Sequence, residues 1–227
     1  IVQADLAASP GDSNLAPIVG EAVRTALSQS NAVHLVPQTD IANVLQDMKR
    51  SRDTPLNEPH VVREVAAQTN AAAILGGRLA QVGSGYAVSL TLTATQGGAL
   101  LASYQGTANG VKDLLNTVDG LTRQLRSRVG ESLKRVQRTV PLERATTTSL
   151  DALRKYSEAV VANDIDGNYP RAVELSRQAV ALDPTFAMAW RKLAIALHND
   201  RQPQVVGESA LEQATRYADR LPPLEKA

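Results

Sequence analysis

The chain has no cysteine, which excludes disulfides, thiolate metal sites and cysteine nucleophiles together. Aromatic residues make up only 3% of its 227 residues, with one Trp, one Phe and five Tyr. Any core must therefore be built mainly from Ala, Val and Leu, which favours close helix packing over a large ligand cavity. No run approaches the ~20 consecutive apolar residues of a membrane helix, and no basic-then-apolar signal opens the chain. The 24 basic and 23 acidic residues leave a net charge of +1, so no global field gathers nucleic acid or anionic membrane. Catalytic signatures are missing as well. There is no G-x-S-x-G elbow, no G-x-x-x-x-G-K loop and no kinase catalytic or D-F-G motif, and Ser51-Arg52-Asp53 lacks the residues that would make it one. These gaps point to a non-enzymatic chain that uses no cofactor and no metal.

What is present is an ordinary apolar share, 43% of residues, enough for two domains of usual size. At the start, Val2, Ala4 and Leu6 alternate with Gln3 and Asp5, which is strand period, until Ser9, Pro10 and Gly11 break it. Leu15, Ile18, Val19, Ala22, Val23 and Leu27 then fall at helical spacing. Val33, Leu35 and Val36 read as a short second strand, and Ile41, Val44, Leu45 and Met48 as a second helix. After a loop at Ser51 to Pro59 and a helix at Val61 to Gln68 come three β-rich runs, Ala72 to Val82, Tyr86 to Thr95 and Ala99 to Ala108. Gly83-Ser84-Gly85 and Gly97-Gly98 separate them at hairpin spacing. In the middle run Val88, Leu90, Leu92 and Ala94 share one face and the Ser and Thr residues the other, so the sheet has a buried side and a wet side.

From Val111 to Arg138 apolar residues keep three-and-four spacing, which predicts one helix of roughly 40 Å at 1.5 Å per residue. Its basic residues, Arg123, Arg126, Arg128, Lys134, Arg135 and Arg138, read as the wet face of that helix. The polar, Pro-containing stretch 139–148 reads as a linker. The expected division is thus 1–138, an α/β domain ending in the long helix, the linker at 139–148, and a helical region at 149–227.

The helical region carries a repeat. Trp190, Leu193 and Ala194, then Ala210, Ala214, Tyr217 and Pro222, follow the order of the tetratricopeptide pattern. Taking Pro184 as the close of a first copy puts Tyr156, Ala172 and Ala179 at its large, small and small positions. Pro222 lies 38 residues after Pro184 (222 minus 184), four more than the standard 34, and Arg201 to Gly207 can absorb the excess. Two copies are fewer than the three or more that usually stand alone, so this array must lean on the long helix, the α/β domain or another copy.

The stretches "TTTSLDALRKYSEAV", "NYPRAVELSRQAVALDP" and "FAMAWRKLA" resemble the tetratricopeptide region in the extracytoplasmic, C-terminal halves of bacterial membrane-anchored serine/threonine kinases and related signalling proteins. There the repeats follow an α/β module like the amino-terminal domain of TolB, and the first 110 residues look similar to that module. The resemblance implies an α+β chain, a TolB amino-terminal-like sandwich with a mixed sheet followed by all-α hairpins. It also implies an extracytoplasmic location and a kinase or cyclase domain outside this sequence. Beginning at Ile1 within a strand-like run, the sequence reads as a piece of something longer.

In the family's register the first helix of each hairpin lines a concave face. Here that face would offer Arg154, Ser157, Val161 and Asp164, then Met188, Arg191, Ile195 and His198, with Arg154 and Arg191 able to clamp a carboxylate. The groove is either open to a peptide or filled by the chain's own C-terminal helix. Three functions remain in competition: a scaffold or sensor that binds protein or peptide, a small-molecule receptor with its pocket between sheet and helices, and a dimeriser acting through the long helix or the repeats. None inserts into a membrane or binds nucleic acid. His34, His60 and His198 share no metal-binding spacing, Asp40/Asp47 and Glu58/Glu64 read as solvated surface, and Gly83-x-Gly85 joins two strands as a hairpin turn rather than opening a helix onto a phosphate.

Overall fold

A short strand, β1 (Val2–Gln3), and its continuation after an interruption, β2 (Ala7–Ala8), both pair in parallel with β3 (Ala73–Val82). Antiparallel pairing joins β3 to β4 (Gly85–Ala94) and β4 to β5 (Leu100–Ala108), giving a mixed sheet. The computed structural model describes residues 1–221, which divide into two compact units, Ile1–Thr139 and a second from Val140 onward.

Alternation decides how this sheet is covered. Leu75, Leu79, Val88, Leu90 and Leu92 are buried on one face, where α1 (Ala16–Ser28) and a later helix pack. Val2 and Ile74 point to the opposite face and join a core with Ile41 and Leu45 of α2 (Gln38–Asp47) and Val61, Val62 and Val65 of α3 (Pro59–Gln68). The expectation of one buried and one wet face therefore holds over β4 and β5, while the β1–β3 end is covered on both sides. Val33–Val36, expected as a strand, instead lies extended beside the first residue. The Ile1 ammonium donates to His34 O at 2.7 Å and Val36 N to Ile1 O at 2.9 Å, a contact too brief to form a ladder.

Between β1 and β2 the pairing slips. Gln3 is opposite Leu75 and Ala7 opposite Arg78, so three residues, Ala4, Asp5 and Leu6, face two, Gly76 and Gly77. This is a β-bulge. The surplus residue shifts the phase, and Leu6 turns to the same face as Gln3, whose Nε2 donates to Gly20 O of α1 at 2.8 Å. Leu6 fills the space that Gly77 leaves: a Cβ on Gly77 would lie 2.5 Å from Leu6 Cδ2 and 2.5 Å from Ser89 O. Asp5 holds the 51–58 loop against the bulge, its N–H donating to Leu56 O at 3.0 Å and its Oδ2 accepting from Leu56 N at 2.8 Å.

The helix expected across 111–138 is broken. A single 3-10 turn precedes α4 (Leu114–Arg128), and α5 (Leu133–Gln137) follows separately. The break is a Schellman motif: Gly130 takes φ 97°, its N–H reaches Ser127 O at 3.3 Å, and Glu131 N–H reaches Arg126 O at 3.1 Å. Side chains fix it. Arg126, read as wet-face, is 2% exposed and grips Glu131 with two hydrogen bonds of 2.9 Å. Ser30 Oγ donates to the same carboxylate at 2.5 Å and accepts from Ala32 N and Val33 N. The Arg126 guanidinium, helped by Ser30, holds the Glu131 carboxyl below the usual range against the upward push of burial.

The second unit is all α, so the chain as a whole is α+β. Its helices are α6 (Leu142–Ala145), α7 (Leu150–Val160), α8 (Tyr169–Leu182), α9 (Ala187–Asn199) and α10 (Gln204–Arg216). Residues 139–148, expected as a linker, contribute Leu142, Ala145, Thr146 and Thr147 to the interior. The threonines can be buried because their hydroxyls are satisfied, Thr146 on Leu142 O at 2.7 Å and Thr147 on Asp183 Oδ2 at 2.6 Å.

Two outcomes are expected. Gly77→Ala should destabilise the first unit by about 1–3 kcal/mol through overpacking, whereas Gly76→Ala, with open space where its Cβ would stand, should be tolerated; urea unfolding followed by amide exchange in β4 separates them. Glu131→Gln should cost about 3–5 kcal/mol at neutral pH because it strands a buried guanidinium. Since the folded-state pKa of Glu131 lies below its unfolded value of about 4.3, the wild-type advantage is complete above that pH and disappears as pH falls through the folded-state value. Unfolding curves of both proteins between neutral and acid pH check this, and a constant difference across the range would refute it.

Candidate interaction surface

Small residues set the architecture of the second unit. Ala152 and Ala159 of α7 meet Ala172 and Ala179 of α8, all four wholly buried, so the two helices approach closely as a hairpin. Ser149 caps α7, its Oγ accepting from Ala152 N at 3.2 Å, and Asn168 caps α8 by accepting from Arg171 N at 3.2 Å. A second hairpin, α9 with α10, buries Leu193, Ala196, Ala210 and Ala214. The chain's one Phe joins the two hairpins: the rings of Tyr156 and Phe186 lie 5.1 Å apart at 52°, a tilted arrangement favoured by ring quadrupoles.

The junction between hairpins is fastened at Asp183-Pro184. Burial pushes the Asp183 carboxyl up, but hydrogen bonds from Thr147 and Thr185 outweigh it and hold the pKa below the usual value. Those bonds come from Thr147 Oγ1 at 2.6 Å, Thr185 N at 2.9 Å and Thr185 Oγ1 at 2.7 Å. Trp190 Nε1 donates to Pro184 O at 2.8 Å, which ties the start of α9 to the exposed proline. Of the other residues expected to define the repeat, Tyr156, Ala172, Ala179, Leu193 and Ala210 are buried and Tyr217 is half-buried. Pro222 lies outside the described residues.

The residues expected on the concave face divide into three groups. Ser157, Val161, Ile195 and His198 are exposed or half-buried on α7, the turn that follows it, and α9. Met188 is only 5% exposed and belongs to the core. Arg154 donates to Asp151 Oδ1 at 2.7 Å, and Arg191 is likewise engaged, so the two arginines do not form an open clamp. Asp164 is held by Lys192, whose Nζ lies 3.1 and 2.9 Å from its two oxygens.

The Asp164 site depends on a feature that residue spacing did not show. After Val160 the helix widens into a π turn at Val161–Ile165, a form often found at functional positions. Widening brings Asn163 and Asp164 toward α9, where Asn199 Nδ2 donates to Asn163 Oδ1 at 3.0 Å and Lys192 meets Asp164. Only the unusual Asn at position 163, where the repeat normally has Tyr, hinted at a polar contact between first helices. Among the described residues no group of three or more His, Asp or Glu is placed to hold a metal, and no helix is long and apolar enough to cross a membrane.

No family model matches the sequence, and no curated protein matches it. Among solved structures, the LpoB C-terminal domain from Salmonella enterica is similar over 47% of this chain and 79% of that chain, at 18% identity and a TM-score of 0.41. The same domain from Escherichia coli is similar over 47% and 81%, at 18% identity and a TM-score of 0.43. Function is therefore argued from the residues of this chain.

Asp164→Ala should destabilise the second unit by about 1.5–3 kcal/mol, the usual loss for a hydrogen bond to a charged group. Fluorescence of Trp190 during urea unfolding reads that loss, and Arg154→Ala, which removes a solvent-exposed pair, should leave the midpoint unchanged.

Proposed function

We propose that this chain is the non-catalytic sensing and scaffolding region of a larger extracytoplasmic signalling protein, and that it binds protein or peptide along α7 and α9. The observation that carries the reading is the division of labour on that face. Its charged groups are engaged in structural contacts, Asp164 with Lys192 and Arg154 with Asp151, while Ser157, Val161, Ile195 and His198 remain accessible. Such a strip, mostly neutral and held in place by polar pairs, suits an extended or helical segment recognised by shape and apolar contact.

The repeat-like spacing and the resemblance to kinase-linked extracytoplasmic regions support the same reading. A two-hairpin array supplies a small interface, so the affinity expected of it alone is modest. Attachment to a membrane-anchored serine/threonine kinase or related enzyme, and self-association that would gather such domains, belong to this proposal.

Photo-crosslinking in the native host tests it. A benzophenone side chain placed at Ser157 or Ile195 should capture one defined partner, and the same group at Arg177, exposed on α8, should not. Adding Val161→Arg to the Ile195 probe should abolish capture. Equal labelling from α8, or none from α7 and α9, would refute the proposal.

A further inference from the structure

The first unit contains a cleft of about 410 Å³ that the peptide-binding reading does not use. It lies over the bulge between β1 and β2, on the face of the sheet that carries Ile74 and Gly76. Leu56, Val62 and Ile74 supply apolar wall. The volume falls within the ~300–1,000 Å³ typical of small-molecule sites.

The chain keeps this space empty by construction. Gly76 lines the cleft, and a Cβ there would meet nothing within 4 Å, so any larger residue would fill the hollow without clashing. The surplus residue of the bulge displaces the strand at Asp5, and the paired Asp5–Leu56 hydrogen bonds hold the 51–58 loop as a wall. Bulges and strand glycines recur where a ligand must approach a sheet closely.

Two opposite charges line the cleft on different walls. Asp5 uses Oδ2 for Leu56 N, which leaves Oδ1 open. Arg63 on α3 spends only Nε, on Pro59 O at 3.1 Å, and its two terminal nitrogens face no partner. The two side chains do not pair with each other. An unpaired anion, an unpaired cation and an apolar wall around one small cavity define a complementary ligand.

We infer that this cleft binds a free amino acid with an apolar side chain, its ammonium on Asp5, its carboxylate on Arg63, and its side chain against Leu56, Val62 and Ile74. The carboxylate has two acceptor oxygens and the guanidinium two free donors, which permits a bidentate contact. The inference stands independently of any partner on the second unit.

Calorimetric titration of the whole chain with each of the twenty L-amino acids tests the site, with N-acetyl and carboxamide derivatives of any that bind. A Val-, Leu-, Ile-, Met- or Phe-class ligand should bind. Asp5→Asn and the N-acetyl derivative should each weaken binding about tenfold or more, as should Arg63→Gln and the carboxamide, the effect of one lost charge-assisted hydrogen bond. Gly76→Val should abolish binding, and unchanged circular dichroism would show that the fold survives. Should that variant unfold, the Asp5 and Arg63 variants, both changed at exposed side chains, still decide the matter. Failure of all twenty to bind at millimolar concentration would overturn the inference, as would affinity indifferent to the loss of either ligand charge.

Discussion

A guanidinium buried to 2% exposure governs the first unit. Arg126 can be there only because Glu131 meets it with both oxygens, and Glu131 can be there only because α4 stops and the chain turns back. The same carboxylate takes the Ser30 hydroxyl, which in turn orders the turn leaving α1. Arg126 also reaches Gln29 O at 3.4 Å and Thr139 Oγ1 at 3.5 Å. One ion pair thereby ends α4, anchors the exit of α1 and positions the last residue of the unit. Apolar residues of equal volume could match such a pair in net stability, but they would not specify where the helix ends. The pair's main effect is on chain path.

The second unit solves its path differently. Its hairpins are drawn together by alanines rather than by large side chains, as the shortage of aromatics requires. Alanine contacts are close but carry little directional information, so the order of the hairpins rests on polar fastenings at Asp183 and on the Asp164–Lys192 and Asn163–Asn199 contacts across the π turn. These fastenings occupy the groups that a sequence reader would first assign to ligand binding. What they leave accessible is mostly neutral.

Much of this was legible in the sequence. Strict alternation located β3, β4 and β5 to within a residue or two, and helical spacing with Ser149 and Asn168 as caps located α7 and α8. The failures share a cause, namely that spacing reports which residues are apolar and not which polar residues will be buried in pairs. Arg126 looked like one more cation on a wet helix face, and only Glu131 folding back across Gly130 makes it interior. Asp164 looked available because its partner Lys192 is 28 residues away. Thr146 and Thr147 looked like linker because threonine spacing says nothing about satisfied hydroxyls. At the start of the chain, Val2 and Leu6 lie four residues apart and read as one strand face, yet they point to opposite sides of the sheet.

That inversion comes from a single residue. In a strand of regular pairing, the distance in sequence between Gln3 and Ala7 would equal the distance between their partners Leu75 and Arg78; here it exceeds it by one. The surplus is heritable in the simplest way, as one inserted codon, and its removal would let β1 and β2 fuse into an unbroken ladder. Divergent chains can therefore be sorted by length alone in this stretch, without any similarity of side chains: those with the extra residue opposite a glycine pair retain the hollow, and those without it retain only the sheet.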